Sequence, residues 1–225
     1  METQKKISQY DYKNKGKIFE PYIRESDYRL KTDEYIVIHL DGVGFTSKYY
    51  KNISNNARKI IVNALMQVAK ELSKKINSVR VSYVCSDEIS LILDGHDIDS
   101  NFHNRINKII STISSRTTLL FYKKLIEENN NEFDVISDNC IFAAKAYNIP
   151  NDYVKEYLDW RLLGCKKLIF DKRQDYNKKE NWEKFGFIIT KNDNGIWEGQ
   201  AIDFTDKRVI KEPQNEFFQI KNKEA

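Results

Sequence analysis

Two short acidic motifs hold the residues in this chain best suited to chemistry. Asp41 follows a β-branched run, Glu34 to Leu40 (EYIVIHL), and opens the stretch Asp41-Gly42-Val43-Gly44-Phe45-Thr46. Asp87 lies in Ser86-Asp87-Glu88, between the apolar runs Val79 to Cys85 (VRVSYVC) and Ile89 to Leu93 (ISLIL). Taken singly, Asp-Gly and Ser-Asp-Glu are ordinary turn sequences. Brought to one sheet edge, two such carboxylates can bridge a pair of divalent cations about 3.5–4 Å apart. Mg²⁺ favours one or two carboxylates completed by phosphate and water over an all-protein cage. Gly42 and Gly44 let the backbone approach a phosphate closely and turn successive N–H groups toward it. The chemistry to expect is therefore that of a metal–triphosphate site.

The surrounding elements predict that meeting. Glu34 to Leu40 reads as a strand ending in a turn, and the two later runs read as a tight hairpin. A helix is predicted from an N-cap at Ser54, with Ala57, Ile61, Ala64, Leu65, Val68 and Leu72 on its apolar face. Ile98, Phe102, Ile106, Ile109, Ile113 and Leu120 mark a second helix. Asn139 to Tyr147 is read as a fourth strand, and Pro150-Asn151 opens a third helix. The order strand, helix, strand, strand, helix, strand predicts an α+β, ferredoxin-like βαββαβ core: an antiparallel sheet with helices on one face. Right-handed crossovers then put the first strand beside the third, with the hairpin turn at the carboxyl end of the first. Asp41 and Asp87 become neighbours at a spacing of about 4.8 Å per strand. On the second helix, Arg105, Lys108, Thr112 and Arg116 recur along one polar face. Arg105 and Lys108 are candidates to meet a triphosphate and offset the charge that develops in phosphoryl transfer.

The chain has 225 residues and a formal charge of +4. That length suits one enlarged domain. We expect an N-terminal arm over 1–33, a catalytic domain over 34–165 and a short C-terminal extension over 166–225. The extension opens with a basic surface loop, Lys166 to Lys184, followed by strands at Phe185 to Thr190 and Gln200 to Phe204 around an Asn194-Gly195 turn. No apolar run is long enough to cross a membrane, and METQKKISQYDYKNKGK carries no secretory signal. The three cysteines, Cys85, Cys140 and Cys165, predict reduced thiols in the cytoplasm, with Cys85 a small core residue. His39 is read as a packed strand residue. His96 and His103 have no cysteine companions and predict no zinc site. Tyr10, Tyr12, Tyr22 and Tyr28 lie among basic residues, a pattern that suits stacking on RNA.

These motifs resemble those of the tRNA(His) guanylyltransferase-like family, the reverse, 3′–5′ polymerases. DGVGF after a strand and SDEIS in a hairpin resemble the family's DG-x-x-F-H and SDE-[YF]-S. RINK with the Ser/Thr-rich STISSRTT is similar to its basic helix. FAAKAYNIP followed by DYVKEYLDWRLLGC resembles FDARVF-x-P … YL-x-WR-x-x-DC. The likeness spans about residues 19 to 165. It implies a palm-like fold, two Mg²⁺ ions, an NTP substrate (GTP or ATP) and an RNA partner, most simply tRNA, in a chain able to form homo-oligomers. It implies Asp41, the Gly42 carbonyl and Asp87 as metal ligands, with Glu88 as their acidic neighbour. Gly42, Val43, Gly44, Phe45, Thr46 and Ser86 would surround the nucleotide. The departures are also specific. Thr46 stands where the family has His, Ala143 and Lys145 replace the Asp and the Arg of FDAR, and Gly164 replaces the Asp of WRxxDC. Lys166 to Phe170 stand where a HINNLYN-like segment is expected.

Two other classes fit parts of the pattern. A palm-type enzyme could make a cyclic or other small nucleotide from NTPs alone. A non-catalytic RNA-binding relative would have had no need to keep both aspartates. The Asn, Lys and Ile content suggests an AT-rich genome, bacterial, viral or phage, which would mean host cytoplasm in the last two cases.

Overall fold

The computed structural model describes residues 28–45, 53–96, 102–127, 140–171 and 186–201. Among these, six strands and three long helices build one sheet with helices on both faces. The elements are β1 (Tyr35–Gly42), α1 (Asn55–Lys75), β2 (Val79–Cys85), β3 (Glu88–Leu93), α2 (Ile106–Glu127), β4 (Phe142–Ile149), α3 (Val154–Asp171), β5 (Phe187–Lys191) and β6 (Trp197–Ala201). The sheet order is β4-β1-β3-β2-β5-β6, and every pairing is antiparallel. Its first four strands have the expected ferredoxin-like order.

Alternation along β1 sorts its side chains between two cores. Ile36, Ile38 and Leu40 join the buried faces of α1 and α2, so both crossover helices share one face, as expected. Tyr35 and Val37 face the other way. There they meet Val81, Tyr83 and Ile92 of the sheet and Val154, Tyr157, Leu158 and Leu162 of α3. The third helix thus covers the opposite face. α1 starts at Ser54, whose side chain accepts from the Ala57 N–H at 3.1 Å, satisfying one of the free donors of the first turn. Lys74 and Lys75 close its last turn, where positive charge suits the helix dipole.

Three expectations need correction. α2 begins at Ile106, not near Ile98, because His103 and Asn104 take positive φ values of 51° and 59° and break the helical run. Its buried stripe is Ile109, Ile113, Thr117, Phe121 and Leu125. Residues 166–171, expected in a loop, extend α3 across the boundary set at 165; 172–184 lie outside the described residues. The tail strands also shift, to Phe187–Lys191 and Trp197–Ala201, and they lengthen the sheet at the β2 edge. Of the N-terminal arm, only its last residues are described. Leu30 is buried, its N–H donates to Asn104 O at 2.9 Å, and the Lys31 N–H donates to Asn148 Oδ1 at 2.9 Å. Tyr10, Tyr12 and Tyr22 lie outside the described residues.

The thiols are the fourth correction. Cys85 and Cys165 form a disulfide across a sequence separation of 80, with Cα atoms 6.4 Å apart, while Cys140 is a buried free thiol. A strand end and a helix so distant in sequence meet only through packing, which a cysteine count does not reveal. A closed loop of this length contributes about 2–4 kcal/mol. Reduction with dithiothreitol is therefore expected to lower Tm by several degrees, and the Cys165→Ser variant should show the lower Tm without reductant.

Among the described residues, no helix is long and apolar enough to cross a membrane.

Candidate active site at the carboxyl end of β1

The β1–β3 register sets the site. Asp41 pairs with Glu88, Leu40 with Ile89 and His39 with Ser90. Asp87 is the second residue of a two-residue loop joining Cys85 to Glu88, themselves cross-strand partners. The Gly42 N–H donates to Asp87 O at 3.0 Å, so the two acidic motifs are linked through their backbones. The sheet thus brings together Asp41, Gly42, Val43, Gly44, Phe45, Ser86, Asp87 and Glu88. Thr46 lies outside the described residues.

The residues after Asp41 fold back on the core. Gly44 has φ +75°, the left-handed region that favours glycine. The Val43 N–H donates to Ile141 O at 2.8 Å. Phe45, expected near the nucleotide, has its side chain fully buried, with ring centroids 5.6 Å from Phe121 and 5.4 Å from Phe142. Its side chain anchors the turn, leaving only its backbone for a ligand. Gly42 makes room for that anchor: a Cβ there would lie 2.5 Å from the Phe45 ring.

Ser86 has φ 55°, a conformation that costs a non-glycine residue of order 1–3 kcal/mol when the surroundings impose it. Its hydroxyl donates to Asp87 Oδ1 at 2.9 Å. The strained residue is thus the one that orients the carboxylate. Ser86→Gly should hold or raise the unfolding free energy, by up to about 1 kcal/mol, while slowing turnover. Lower stability together with full activity would contradict this reading of Ser86.

Asp87 is only 7% exposed. Partial burial holds the Asp41 carboxyl above its ordinary pKa, opposed by Lys145 and Arg161. His39 lies on the same face of β1. Burial, with Arg161 and Lys145 nearby, pushes its pKa down to about 4, although Glu88 Oε1 is 4.0 Å from Nε2. Burial outweighs that distant carboxylate, and the ring is neutral at pH 7. His39 Nδ1 lies 3.2 Å from Ser90 Oγ, which in turn lies 2.8 Å from the Tyr157 hydroxyl, so this histidine is packed and hydrogen-bonded, as read.

Hard oxygen donors suit a hard cation. Asp41 and Asp87 supply carboxylates and Gly42 a carbonyl. No cluster of three or more His, Cys, Asp or Glu side chains poised for a metal occurs among the described residues. Two carboxylates and a carbonyl are a donor set that Mg²⁺, which takes few protein ligands, could complete with phosphate and water.

Arg105 and Lys108 are not brought to this end. β3 carries the chain away from Asp87, and α2 starts at the far edge, where the Ile106 N–H donates to Tyr28 O at 2.9 Å and Arg105 bridges Arg29. α2 returns to the site end only near Phe121, which touches Phe45. From Lys108 to Phe121 is about 20 Å at 1.5 Å per residue. Among the described residues, the cations at the acidic end are Lys145, directly across from His39 on β4, and Arg161 of α3, ion-paired to Glu88. Sequence reasoning missed both as site residues. Their only signal was membership in the FAAKAY and YLDWR segments.

Residues 15–150, more than half of the chain, match the family described as Thg1, tRNAHis guanylyltransferase. A bacterial tRNA(His) guanylyltransferase (Thg1)-like protein in complex with GTP superposes with a TM-score of 0.75 at 21% identity, over 92% of this chain and 100% of that one. One in complex with ATP gives 0.71 at 21% identity, over 88% and 97%. The tRNA(His) guanylyltransferase of Saccharomyces cerevisiae gives 0.59 at 20% identity, over 84% and 98%. At these identities the superpositions show a shared fold. No curated protein matches the sequence.

Proposed function

The chain belongs to the tRNAHis guanylyltransferase (Thg1) family, and from that premise we propose that it is a Mg²⁺-dependent nucleotidyltransferase that adds nucleotides to the 5′ end of tRNA or a tRNA-like RNA. The observation that carries this reading is the pair Asp41 and Asp87 at one end of the sheet, joined by the 3.0 Å bond from the Gly42 N–H to Asp87 O. The solved relatives that hold GTP and ATP support an NTP as the second substrate.

The proposed reaction joins the 3′-oxygen of the incoming NTP to the 5′-terminal phosphorus of an activated RNA, and pyrophosphate leaves from a 5′-triphosphate end. Asp41, Asp87 and the Gly42 carbonyl would hold two Mg²⁺ ions. These ions would lower the pKa of the attacking hydroxyl and offset charge on the departing phosphates. Ser86 keeps the Asp87 carboxylate in place through its hydrogen bond. The Gly42-Val43-Gly44 backbone lies next to Asp41, where phosphate oxygens would seat. Lys145 and Arg161 temper the negative charge around Asp41. The proposed setting is the cytoplasm, where tRNA and NTPs meet.

The test is incubation of the purified protein with Mg²⁺, each NTP in turn and 5′-labelled truncated tRNAs, with products resolved on a gel. The proposal expects products longer by one or more nucleotides. A cyclic or dinucleotide product from ATP or GTP alone, with RNA left unextended, would favour the small-nucleotide enzyme instead.

A further inference from the structure

One turn of α3 grips both ends of the loop that carries Asp87. The loop is two residues long, bounded by the cross-strand pair Cys85 and Glu88. Cys165 binds Cys85 covalently, and Arg161, four residues earlier on the helix, pairs with Glu88 through Nη2 and Oε2. Residues four apart share a helix face, so a single stretch of α3 reaches both strand ends. Val154, Tyr157, Leu158 and Leu162 seat the helix on the sheet.

The position of Arg161 answers an electrostatic problem. Asp41 and Glu88 face each other across β1 and β3, and like charges directly opposite are destabilising. Arg161 is the cation placed against both: it bonds Glu88 and lies close enough to Asp41 for mutual attraction. Its side chain is only 15% exposed, its Cζ lies 4.9 Å over the Trp160 ring, and its buried Nε has no hydrogen-bond partner among the described residues. A buried guanidinium left partly unsatisfied is poor economy for stability alone, since an apolar residue of similar volume often does as well or better.

We infer that Arg161 is a positioning residue for the reaction. Held by α3, it fixes the Glu88 carboxylate and keeps Asp41 and Glu88 close together, so that the Ser86–Asp87 loop stays in its working geometry. It acts through Glu88 and does not touch the nucleotide. This inference rests on the nucleotidyltransferase reading.

The experiment is a double-mutant cycle on the full chain with Arg161→Met and Glu88→Gln, read by NTP-dependent RNA extension and, separately, by melting temperature. Arg161→Met should lower kcat at least 10-fold with the NTP KM changed less than 3-fold. Adding Glu88→Gln should cost less than a further 3-fold, because the pair works as a unit. Arg161→Lys keeps the charge and the fold but loses the planar fork. It should restore part of kcat, and it keeps the test decisive if the methionine variant unfolds. A raised KM with additive effects would make Arg161 a substrate contact, and a lowered melting temperature with kcat intact would make it merely structural. Either result overturns the inference. If the wild-type chain extends no RNA, the reading beneath it fails as well, even if the melting cycle still reports the Arg161–Glu88 coupling.

Discussion

Replacing either Asp41 or Asp87 with Asn is expected to abolish nucleotidyl transfer while the protein stays folded. Metal-bound charge stabilisation is worth several kcal/mol in such sites, and about 4 kcal/mol corresponds to roughly 10³-fold in rate. Each variant should lose at least that much kcat at saturating Mg²⁺. Stability should move the other way. The Asp41 carboxyl is held above its ordinary pKa by burial, so its ionised form is disfavoured in the folded protein, and the neutral amide removes that cost. Metal-free Asp41→Asn should melt at the wild-type temperature or slightly above it. Circular dichroism melts beside gel extension assays check both halves. Activity retained in either variant would remove the carboxylate pair from the mechanism.

The second large effect concerns folding. Phe45 is fully buried, and its ring meets those of Phe121 and Phe142, themselves 5.3 Å apart. Phe45→Ala opens a cavity among three aromatics that join the turn after β1 to α2 and β4. Large-to-small changes of this kind cost about 3–5 kcal/mol, against a typical total of about 5–15 kcal/mol. Urea unfolding should show that loss, and extension activity should fall as well, because the turn after Asp41 loses its anchor. Gly42→Ala acts on the same contact from the other side by pressing a Cβ into the ring. It should cost about 1–3 kcal/mol. A loss below about 1 kcal/mol for Phe45→Ala would mean that the turn is held by something else.

These two effects also show what was legible in the sequence. β1, the hairpin and α1 declare themselves through β-branched runs, a short polar break and a capped apolar stripe. Strand order and handedness then place Asp41 beside Asp87. The opposite face was not legible. Val154, Tyr157, Leu158 and Leu162 keep helical spacing, so α3 can be read as a helix, but its contributions, Cys165 to Cys85 and Arg161 to Glu88, join residues that only tertiary packing brings together. The start of α2 was misjudged for a local reason. Phe102 keeps helical spacing with Ile106, but His103 and Asn104 enter the left-handed region between them. Arg105 and Lys108, named for their recurrence along one polar face, stand at the start of α2, away from Asp41 and Asp87. Phe45 was legible as part of a motif but not as a core residue, because one aromatic after a glycine turn suits either role.

The central claim is that the Asp41–Asp87 end of the sheet makes RNA grow at its 5′ terminus. The most direct measurement uses a 5′-triphosphorylated tRNA fragment with its 3′ hydroxyl blocked, α-labelled NTP and Mg²⁺, followed by nuclease mapping of the labelled nucleotide. The account predicts label at the new 5′ end, undiminished by the 3′ block and absent with Asp87→Asn. Label that enters only through a free 3′ end, or that appears only in a small nucleotide with no RNA product, would contradict it.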